Sequence, residues 1–351
     1  MTLLEGRLGG STVYALSLIA ALEKRDDVDV RVISSERSGG LATARWMLSG
    51  ADARVRAIGA DVLHCPGFLA PLRSSVPRVQ TIHDLSLGRM PSGHPLEWRM
   101  YYRYGVPRAA RTAALILTAT EVTRRDVVDA FRVPAERIVV QPYGVDERFF
   151  AMPERDRSAT PSEPSIVFPG PPIGRKNLDM VLRVLAAAHA RSALSRARLE
   201  ITGATDAEFP EYARRIADLR LRERVKWLGR LAYEEIPHIY HRADVLVYPS
   251  FLEGFGFPPL ESMAVGTPVV ASNASCLPEV LGDGALLIDP RDDARFAAAV
   301  ESVLATPEER QRLITAGAAR ARTFTWARCA EATAAAYRRA AGVGEAAPQA
   351  R

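Results

Sequence analysis

The chain is poor in cysteine and contains no long apolar run. Its 351 residues include three cysteines, which stand far apart at positions 65, 276 and 329. Cysteines so few and so widely spaced argue against a disulfide framework or a zinc site, and they suit a reducing cytoplasm. No run of about 18 apolar residues occurs, so we expect no transmembrane helix. The N-terminus MTLLEGRLGG also lacks the apolar centre of a signal peptide.

Dense positive charge is missing as well. The net charge of +5 comes mostly from arginines that are spread along the chain. A general nucleic-acid-binding protein usually shows a denser basic stripe or a recognisable motif, so we expect no nucleic acid partner. A chain of this length exceeds what one hydrophobic core usually supports, which predicts two domains.

Short apolar runs alternate with amphipathic helical patterns in the first part of the chain. Strands are predicted at residues 28–34, 61–65, 78–83, 114–119 and 137–142, and helices at 12–25, 96–111 and 121–131. Alternation of this kind predicts a parallel sheet that is covered by helices on both faces.

A change of composition then interrupts the alternation. Residues 149–165 are rich in proline, serine and charge, which is typical of a linker. Beyond them, strands are predicted at 165–170, 198–203, 224–229, 244–250, 268–272 and 285–290, and helices near 177–191, 208–221, 233–242, 259–265 and 293–304.

Together these patterns predict an α/β protein with two Rossmann-like, doubly wound domains. The domains are expected to comprise residues 1–160 and 161–325 and to face a central cleft. The helix predicted at 326–341 is expected to pack back on the first domain. Ligands of such sheets bind at the carboxyl ends of the strands.

The stretch EGFGFPPLE, residues 253–261, lies between a predicted strand and a predicted helix. Gly254 and Gly256 let the backbone approach a ligand closely, and a loop at a helix N-terminus attracts anions. The carboxylates of Glu253 and Glu261 can each accept hydrogen bonds from neighbouring hydroxyls, which is the chemistry of sugar recognition. The alternative is an ordinary turn in which Glu261 complements the helix dipole.

The segment GRKN, residues 174–177, follows the first strand of the second half and begins a helix. A lysine at this place, Lys176, suits a phosphate group, because its cation and the N–H groups of the helix start both attract an anion. Arg175 is adjacent, but neighbouring helical residues point about 100° apart, so both need not reach one phosphate. The alternative is a solvated basic helix start.

Three further segments of the first half carry candidate residues. GRLGGS, residues 6–11, precedes a helix but is not a full GxGxxG; only TLLE precedes it, so the first strand is short or the sequence starts inside it. His83 and Asp84 end a strand in TIHDLS, and His64 ends another in DVLHCPG. Each histidine can equally be structural, and Asp84 can simply close a turn.

The segment at 96–111, LEWRMYYRYGVPRAAR, combines four arginines with Trp98 and three tyrosines. A basic and aromatic helix can bind a membrane surface or a lipid-linked acceptor. The alternative, which we favour, is a helix packed by its aromatic rings with its arginines in water.

The order and content of these segments resemble a known family. YPSFLEGFGFPPLESMAVGTPVVAS resembles the signature of glycosyltransferase family 4, whose members are retaining enzymes of the GT-B fold. Its flanking segments, WLGRLAYEEIPHIYHRADVLVYPS and LPEVLGDGALLIDPRD, look like those of the family, as do GGSTVYALSLIAAL, TIHDLS, QPYGVDERFF and GRKNLDMVL. The resemblance covers nearly the whole chain, from about residue 6 to about residue 335.

The resemblance implies roles for individual residues. Glu253 would hold hydroxyls of a donor sugar, residues 254–257 would expose amides to the sugar and diphosphate, and Glu261 would hold the ribose. Lys176, Glu253 and His83 would be the catalytic residues. The implied donor-binding residues are Gly10, Ser11, Arg175, Lys176, Glu253, Gly254, Phe255, Gly256, Phe257, Leu260 and Glu261, and the implied acceptor-side residues are Asp84 and His64.

One position departs from the family pattern. Many members carry an arginine five residues before the lysine, where this chain has Pro171. Arg175 or a group from the first domain would then have to supply a second cation. No DxD-like motif stands near the site, and the resemblance implies that neither a metal nor a cofactor is needed.

The resemblance implies transfer of a hexosyl group from a nucleotide-diphosphate sugar, with GDP-mannose favoured because the HDL and GRKN segments are similar to those of mannosyl-transferring members. The implied acceptor is a growing glycan or a lipid-linked saccharide, met in the cytoplasm or at the inner membrane surface. Two other classes stay open: a nucleotide-sugar epimerase, against which the intact EGFGFPPLE argues, and a non-catalytic sugar-nucleotide-binding protein, which Pro171 and the short N-terminus favour.

Overall fold

A computed structural model describes residues 9–34, 46, 50–86, 99–159, 161–190 and 192–343. These residues form two compact units. One contains the described residues up to Gly144 together with those from Thr325 onward, and the other is Val145–Phe324. The strand predicted in TLLE lies outside the described residues.

The first unit is built on a parallel sheet. Its four described strands lie side by side in chain order: β1 (Leu63–Cys65), β2 (Arg78–Thr81), β3 (Leu115–Thr118) and β4 (Ile138–Val140). The helices that precede or connect them are α1 (Gly10–Leu22), α2 (Ala51–Ile58), α3 (Val106–Thr112) and α4 (Glu121–Phe131). The core includes Ile82, Val106, Ile116 and Val127, which are fully buried.

One strand predicted for this unit is wrong, and one predicted helix is confirmed in its described part but contains an irregular turn. The prediction of a strand at 28–34 is wrong: the segment is described, and it forms no ladder. Its charged residues Asp29 and Arg31 pair with each other at 3.0 Å, and both are largely exposed. The helix predicted at 96–111 is irregular in its described part, because a π-helical turn at Tyr101–Gly105 leads into α3. There the Val106 N–H bonds to the Tyr101 carbonyl, and the next residue, Pro107, has no N–H to continue a regular pattern.

The second unit has a six-stranded parallel sheet, and all six strands predicted for it are confirmed. They are β5 (Ser165–Phe168), β6 (Arg198–Thr202), β7 (Val225–Gly229), β8 (Val245–Tyr248), β9 (Val269–Ser272) and β10 (Ala285–Ile288). Their spatial order is β10-β9-β8-β5-β6-β7. The chain therefore leaves β5 in one direction and returns to its other side with β8, which makes the carboxyl ends of β5 and β8 the topological switch point.

Eight described α-helices accompany this sheet. They are α5 (Leu178–Ala186), α6 (Ala193–Arg196), α7 (Pro210–Asp218), α8 (Ile236–Arg242), α9 (Phe257–Ala264), α10 (Leu277–Leu281), α11 (Asp293–Ala305) and α12 (Pro307–Ala321). Helices α5 and α11 supply much of the main core, in which Leu178, Leu182, Phe296 and Val303 are buried against the strands.

The last helix, α13 (Trp326–Ala341), belongs to the first unit. Thr325 caps its N-terminus by accepting a hydrogen bond from the Arg328 N–H. Ala336 packs with Val79 of β2 and Leu117 of β3. Within the described parts of the chain, no helix is both long enough and apolar enough to cross a bilayer.

The segment predicted as a linker is fastened to the second unit by arginines. Arg157 donates to the carbonyls of Ala243 and His241, both at 2.6 Å, and so satisfies the C-terminal end of α8. Arg310, 2% exposed on α12, donates to the carbonyl of Arg157 and to Val303 and Leu304 in the last turn of α11. Carbonyls at a helix C-terminus have no partner inside the helix, so these guanidinium groups supply the missing hydrogen-bond donors.

We expect Arg310→Met to destabilise the protein by about 3 kcal/mol, because several buried carbonyls lose a charged donor. The matched control is Arg312→Met on the same helix, where the arginine is half-exposed and pairs with Glu309. Such a surface pair contributes about 0.5 kcal/mol. Urea unfolding of both variants measures the difference, and equal midpoints would contradict a structural role for Arg310.

Candidate active site

Lys176 lies in a short 3₁₀ turn, Gly174–Lys176, just after β5. Its side chain is 8% exposed, and its Nζ donates to the carbonyl of Pro169 at 2.7 Å and lies 5.7 Å from the centre of the Tyr248 ring. A β-carbon on Gly170, whose φ is +79°, would stand 2.4 Å from Nζ. Glycine is therefore required at position 170 for the ammonium group to occupy this place.

Burial lowers the pKa of Lys176 to about 8. The carboxylate of Glu253 opposes this shift, and the charge of Arg175 adds to it. A cation that is stripped of water and has few acceptors interacts strongly with an anion that enters the site.

Asn177 follows Lys176 in the left-handed conformation, with φ of 58°. Its amide nitrogen donates to the carbonyls of Pro249, just beyond β8, and Pro290, just beyond β10. It thus ties together the loops at the carboxyl ends of three strands. The sequence patterns do not single out Asn177, although asparagine is a residue that tolerates this conformation before a helix.

Glu253 is fixed by both its backbone and its side chain. Its carboxylate, 8% exposed, forms an ion pair with Arg175. Its carbonyl accepts a hydrogen bond from the Ser275 hydroxyl at 2.8 Å and one from the Cys276 thiol at 3.2 Å. The neighbouring Tyr248 phenol has a pKa raised well above its usual range, by burial and then by the Glu253 charge.

The glycine-rich loop between Glu253 and α9 turns sharply at Gly256. Gly256 has φ of 99°, and a β-carbon there would meet Leu277 at 2.9 Å. The following helix begins with Phe257, Pro258 and Pro259. Because the two prolines carry no N–H, this helix N-terminus has fewer donors for an anion than an ordinary one. Amide donation to a ligand would fall instead to the loop at 254–257.

Two predicted donor-binding side chains are buried in packing. Phe255 is 5.2 Å from the ring centre of Phe257 and 5.6 Å from that of Phe324. Leu260 is fully buried on α9. These side chains shape the loop and the helix, and a direct contact of either with a ligand stays a prediction.

Glu261 lies one turn into α9 and is 5% exposed. The Tyr233 hydroxyl donates to its Oε1 at 3.3 Å. Burial raises the pKa of Glu261 to about 8, and the Tyr233 hydrogen bond opposes the shift. A carboxyl group in this state can both donate to and accept from a diol. Tyr233 is a further residue that the sequence patterns did not single out.

His83 lies in the first unit just beyond β2. Its Nε2 is 3.2 Å from the carbonyl of Pro66, and its Nδ1 is 2.7 Å from the Tyr143 hydroxyl. A carbonyl can only accept, so Nε2 carries the proton and Nδ1 accepts from Tyr143. Burial lowers the pKa of His83, and the Asp84 charge opposes this. The imidazole is therefore held neutral in one tautomer.

The other candidate residues of the first unit are Asp84, His64, Gly10 and Ser11. The Asp84 carboxylate accepts from the N–H and the hydroxyl of Ser86, which closes a turn. His64 has both ring nitrogens engaged, by Tyr337 at 2.6 Å and Thr81 at 2.8 Å. Ser11 is exposed in the first turn of α1, which begins at Gly10, where helical N–H groups have no intrahelical acceptor. Ligand roles for all of these stay predictions.

The second unit therefore gathers a buried cation and two buried carboxyl groups around the switch point of a Rossmann-like sheet, and the two units together have the GT-B fold. A sucrose-phosphate synthase from Thermosynechococcus elongatus has the same fold, with a TM-score of 0.79 at 20% identity over 96% of this chain and 94% of that one. The family models that match the chain define its class as the glycosyltransferases.

Sequence comparisons specify the family. Residues 8–149 match the model described as Glycosyltransferase Family 4, and residues 154–320 match Glycosyl transferases group 1. The chain is 30% identical to the O-antigen chain mannosyltransferase B of Escherichia coli, over 79% of this chain and 74% of that one. It is 31% identical to the alpha-maltose-1-phosphate synthase of Mycolicibacterium smegmatis, over 94% and 95%. The chain belongs to glycosyltransferase family 4 and is a mannosyltransferase-like member.

The raised pKa of Glu261 predicts a pH-dependent stability. A carboxyl group with a pKa of about 8 in the folded state and 4.5 normally contributes stability that is complete below pH 4.5 and is lost as the pH rises through 8. Glu261→Gln keeps the neutral shape, so its free energy of unfolding should exceed the wild-type value increasingly above pH 5, by on the order of 4 kcal/mol at pH 9.

Thermal unfolding of the ligand-free protein between pH 5 and 9 measures this difference. The control is Glu279→Gln, an exposed position on α10, which should follow the wild-type profile. A constant difference between Glu261→Gln and wild type across this pH range would show that Glu261 is ionised throughout.

Proposed function

We propose that this glycosyltransferase moves a hexosyl group, with retention of configuration and without a metal, from a nucleotide-diphosphate sugar to a hydroxyl of a glycan or lipid-linked saccharide. The observation that carries the proposal is the buried Lys176 ammonium beside the glycine turn at Gly170, close enough to the Glu253 carboxylate for the two charges to interact. A cation and a carboxylate side by side suit a donor that has a diphosphate at one end and sugar hydroxyls at the other.

The proposed donor roles rest on the family resemblance, and the charge and burial of the residues fit them. Lys176 stabilises the negative charge that develops on the diphosphate as the sugar leaves. Glu253 accepts hydrogen bonds from hydroxyls of the sugar, the loop at 254–257 provides backbone amides, and the partly neutral Glu261 binds the two ribose hydroxyls.

The proposed chemistry is front-face transfer. The bond between the sugar C1 and the phosphate oxygen breaks, and its electron pair goes to the phosphate. The acceptor oxygen bonds to C1 on the same face, and its proton passes to the departing phosphate oxygen. Glu253 is not required as a nucleophile, which is consistent with its ion pair to Arg175.

Roles in the first unit are proposed from the family resemblance. His83 would act at the reacting sugar, where a neutral imidazole with a fixed tautomer can orient a hydroxyl. Gly10 and Ser11, at the start of α1, suit a phosphate oxygen. Asp84 and His64 are proposed for the acceptor side, with the existing bonds of His64 favouring support of the site over direct contact.

Mannose is the proposed sugar and GDP the proposed leaving group. The similarity to an O-antigen chain mannosyltransferase supports mannose and a role in polysaccharide synthesis. We also propose action in the cytoplasm, with contact to the inner membrane surface through residues 99–108. The packing that we favour from the sequence holds for Tyr102, which is buried in the core. Met100 and Tyr104 are exposed, however, and Arg103 and Arg108 supply positive charge, which favours an anionic interface.

The donor proposal predicts a selective thermal shift. GDP-mannose and GDP should raise the melting temperature without metal, whereas UDP, UDP-glucose and UDP-GlcNAc should not. Ligand at 100 times its Kd stabilises a protein by about 2.7 kcal/mol. A response to the uridine compounds alone would contradict GDP-mannose but keep the donor site. No response to any compound would contradict the donor site itself.

The lowered pKa of Lys176 predicts that nucleoside diphosphate binding weakens at high pH. Below a pKa of about 8 the free protein carries the charge, so Kd should be constant; above it Kd should rise up to about tenfold per pH unit, since binding must then take up a proton. Titration calorimetry between pH 7 and 9 measures the change.

Matched variants test the assignment to Lys176. In Lys176→Arg the charge persists at all these pH values, so its Kd should not depend on pH, and Lys176→Met should bind poorly throughout. The control Lys226→Met removes an exposed lysine on β7 and should behave as wild type. A pH dependence that persists in Lys176→Arg would assign the titration to another group.

A further inference from the structure

Arg175 contacts the segment that leads into the glycine-rich loop through both its side chain and its backbone. Its Nη1 donates to the carbonyl of Leu252 at 2.8 Å, and the same nitrogen pairs with Oε1 of Glu253. Its own carbonyl accepts from the N–H of Phe251 at 2.8 Å. One residue of the GRKN segment therefore holds residues 251–253 by backbone and side chain together.

The Glu253 carboxylate needs such a partner. It is 8% exposed, and a carboxylate taken out of water is costly unless a cation or several donors meet it. The Ser275 and Cys276 contacts hold only the Glu253 backbone. The Arg175 guanidinium is the cation paired with this carboxylate, and the Tyr248 phenol also hydrogen-bonds to it, so the rigid geometry of the guanidinium helps to set the direction of the carboxylate.

The side chains of Lys176 and Arg175 contact different loops. Successive residues in a 3₁₀ turn project about 120° apart. Lys176 lies against Pro169 and the glycine turn at Gly170, whereas Arg175 lies against Leu252 and Glu253. The two cations thus face two different loops, one from the end of β5 and one from the end of β8.

We propose that Arg175 is a positioning residue, which orients Glu253 for the donor sugar and does not bind the diphosphate. The inference rests on the proposed function. It also means that the arginine that Pro171 replaces in the family pattern is not restored by Arg175, and Lys176 is the cation of GRKN that meets the phosphates.

The test separates the sugar from the diphosphate. Calorimetry compares GDP with GDP-mannose, or the uridine pair if wild type prefers it, for wild type and for Arg175→Ala. We expect the variant to keep its Kd for the nucleoside diphosphate within about threefold. Its affinity for the nucleotide sugar should fall at least tenfold, or its rate of donor hydrolysis without acceptor should fall by the same factor. A tenfold loss of nucleoside diphosphate affinity would overturn the proposal, because it would make Arg175 a phosphate ligand.

A double-mutant cycle with Glu253→Gln excludes a purely structural effect. If Arg175 acts through the Glu253 carboxylate, Arg175→Ala should cost little further sugar affinity in the Glu253→Gln background. Equal losses in both backgrounds would overturn the proposal. Arg175→Lys should restore part of the sugar affinity, and it is the fallback variant if Arg175→Ala does not fold.

The control variant is Arg183→Ala, which removes an exposed arginine on α5 that pairs with Asp293. It should bind both ligands as wild type does. If wild type binds neither a nucleoside diphosphate nor a nucleotide sugar, the proposed function fails and the inference fails with it. If wild type binds both and Arg175→Ala is indistinguishable from it, only the role of Arg175 is refuted.

Discussion

The cost of removing charge from water is the constraint on which the second unit depends. Lys176, Glu253 and Glu261 are all buried around one switch point, and each meets the cost in its own way. Lys176 has a lowered pKa, Glu253 has the Arg175 guanidinium, and Glu261 has a raised pKa and the Tyr233 hydroxyl. Two of these groups thus have shifted pKa values and the third has an ion pair, an arrangement that suits the separate recognition of phosphate, ribose and hexose that we propose.

Arginine and lysine divide the work in this unit. Arginine stays charged when buried, and the buried Arg157 and Arg310 donate hydrogen bonds to carbonyls at helix ends and hold the segment before β5. Lysine changes its pKa readily on burial. The chain has three lysines, all of them described, and Lys176 alone among them is buried. In a chain so rich in arginine, the choice of lysine at this position is itself a chemical signal.

The sequence predicts most of the second unit because its strands are short apolar runs between clear turn residues. The six strands and the positions of GRKN and EGFGFPPLE relative to them follow from that pattern alone. The strand predicted at 28–34 shows the limit of such patterns. Its valines alternate with charged residues, but the segment does not join the sheet. Helix α12 was also missed, although Pro307 with two following glutamates is a typical helix start.

What the sequence could not predict is pairing between distant residues. The composition of residues 149–165 is that of a linker, and nothing local shows that Arg157 will reach carbonyls at the end of α8. In the same way, Tyr233 and Glu261 are 28 residues apart, and the ion pair of Arg175 with Glu253 spans two loops. The Arg157 and Arg175 contacts depend on the strand order that brings β5 beside β8, and all three contacts are tertiary properties.

The same principle explains why the C-terminal helix belongs to the first unit. A chain of polar contacts begins at Thr333 on α13, passes through Gln141, Tyr14, Thr81 and His64, and returns to α13 at Tyr337. A buried network of this kind is favourable only when every member is satisfied, so it fixes one register of α13. The Tyr14 ring also meets His83 edge-on at 5.0 Å. The last helix of the chain therefore helps to position Tyr14, and Tyr14 in turn packs against the imidazole of the candidate catalytic residue His83.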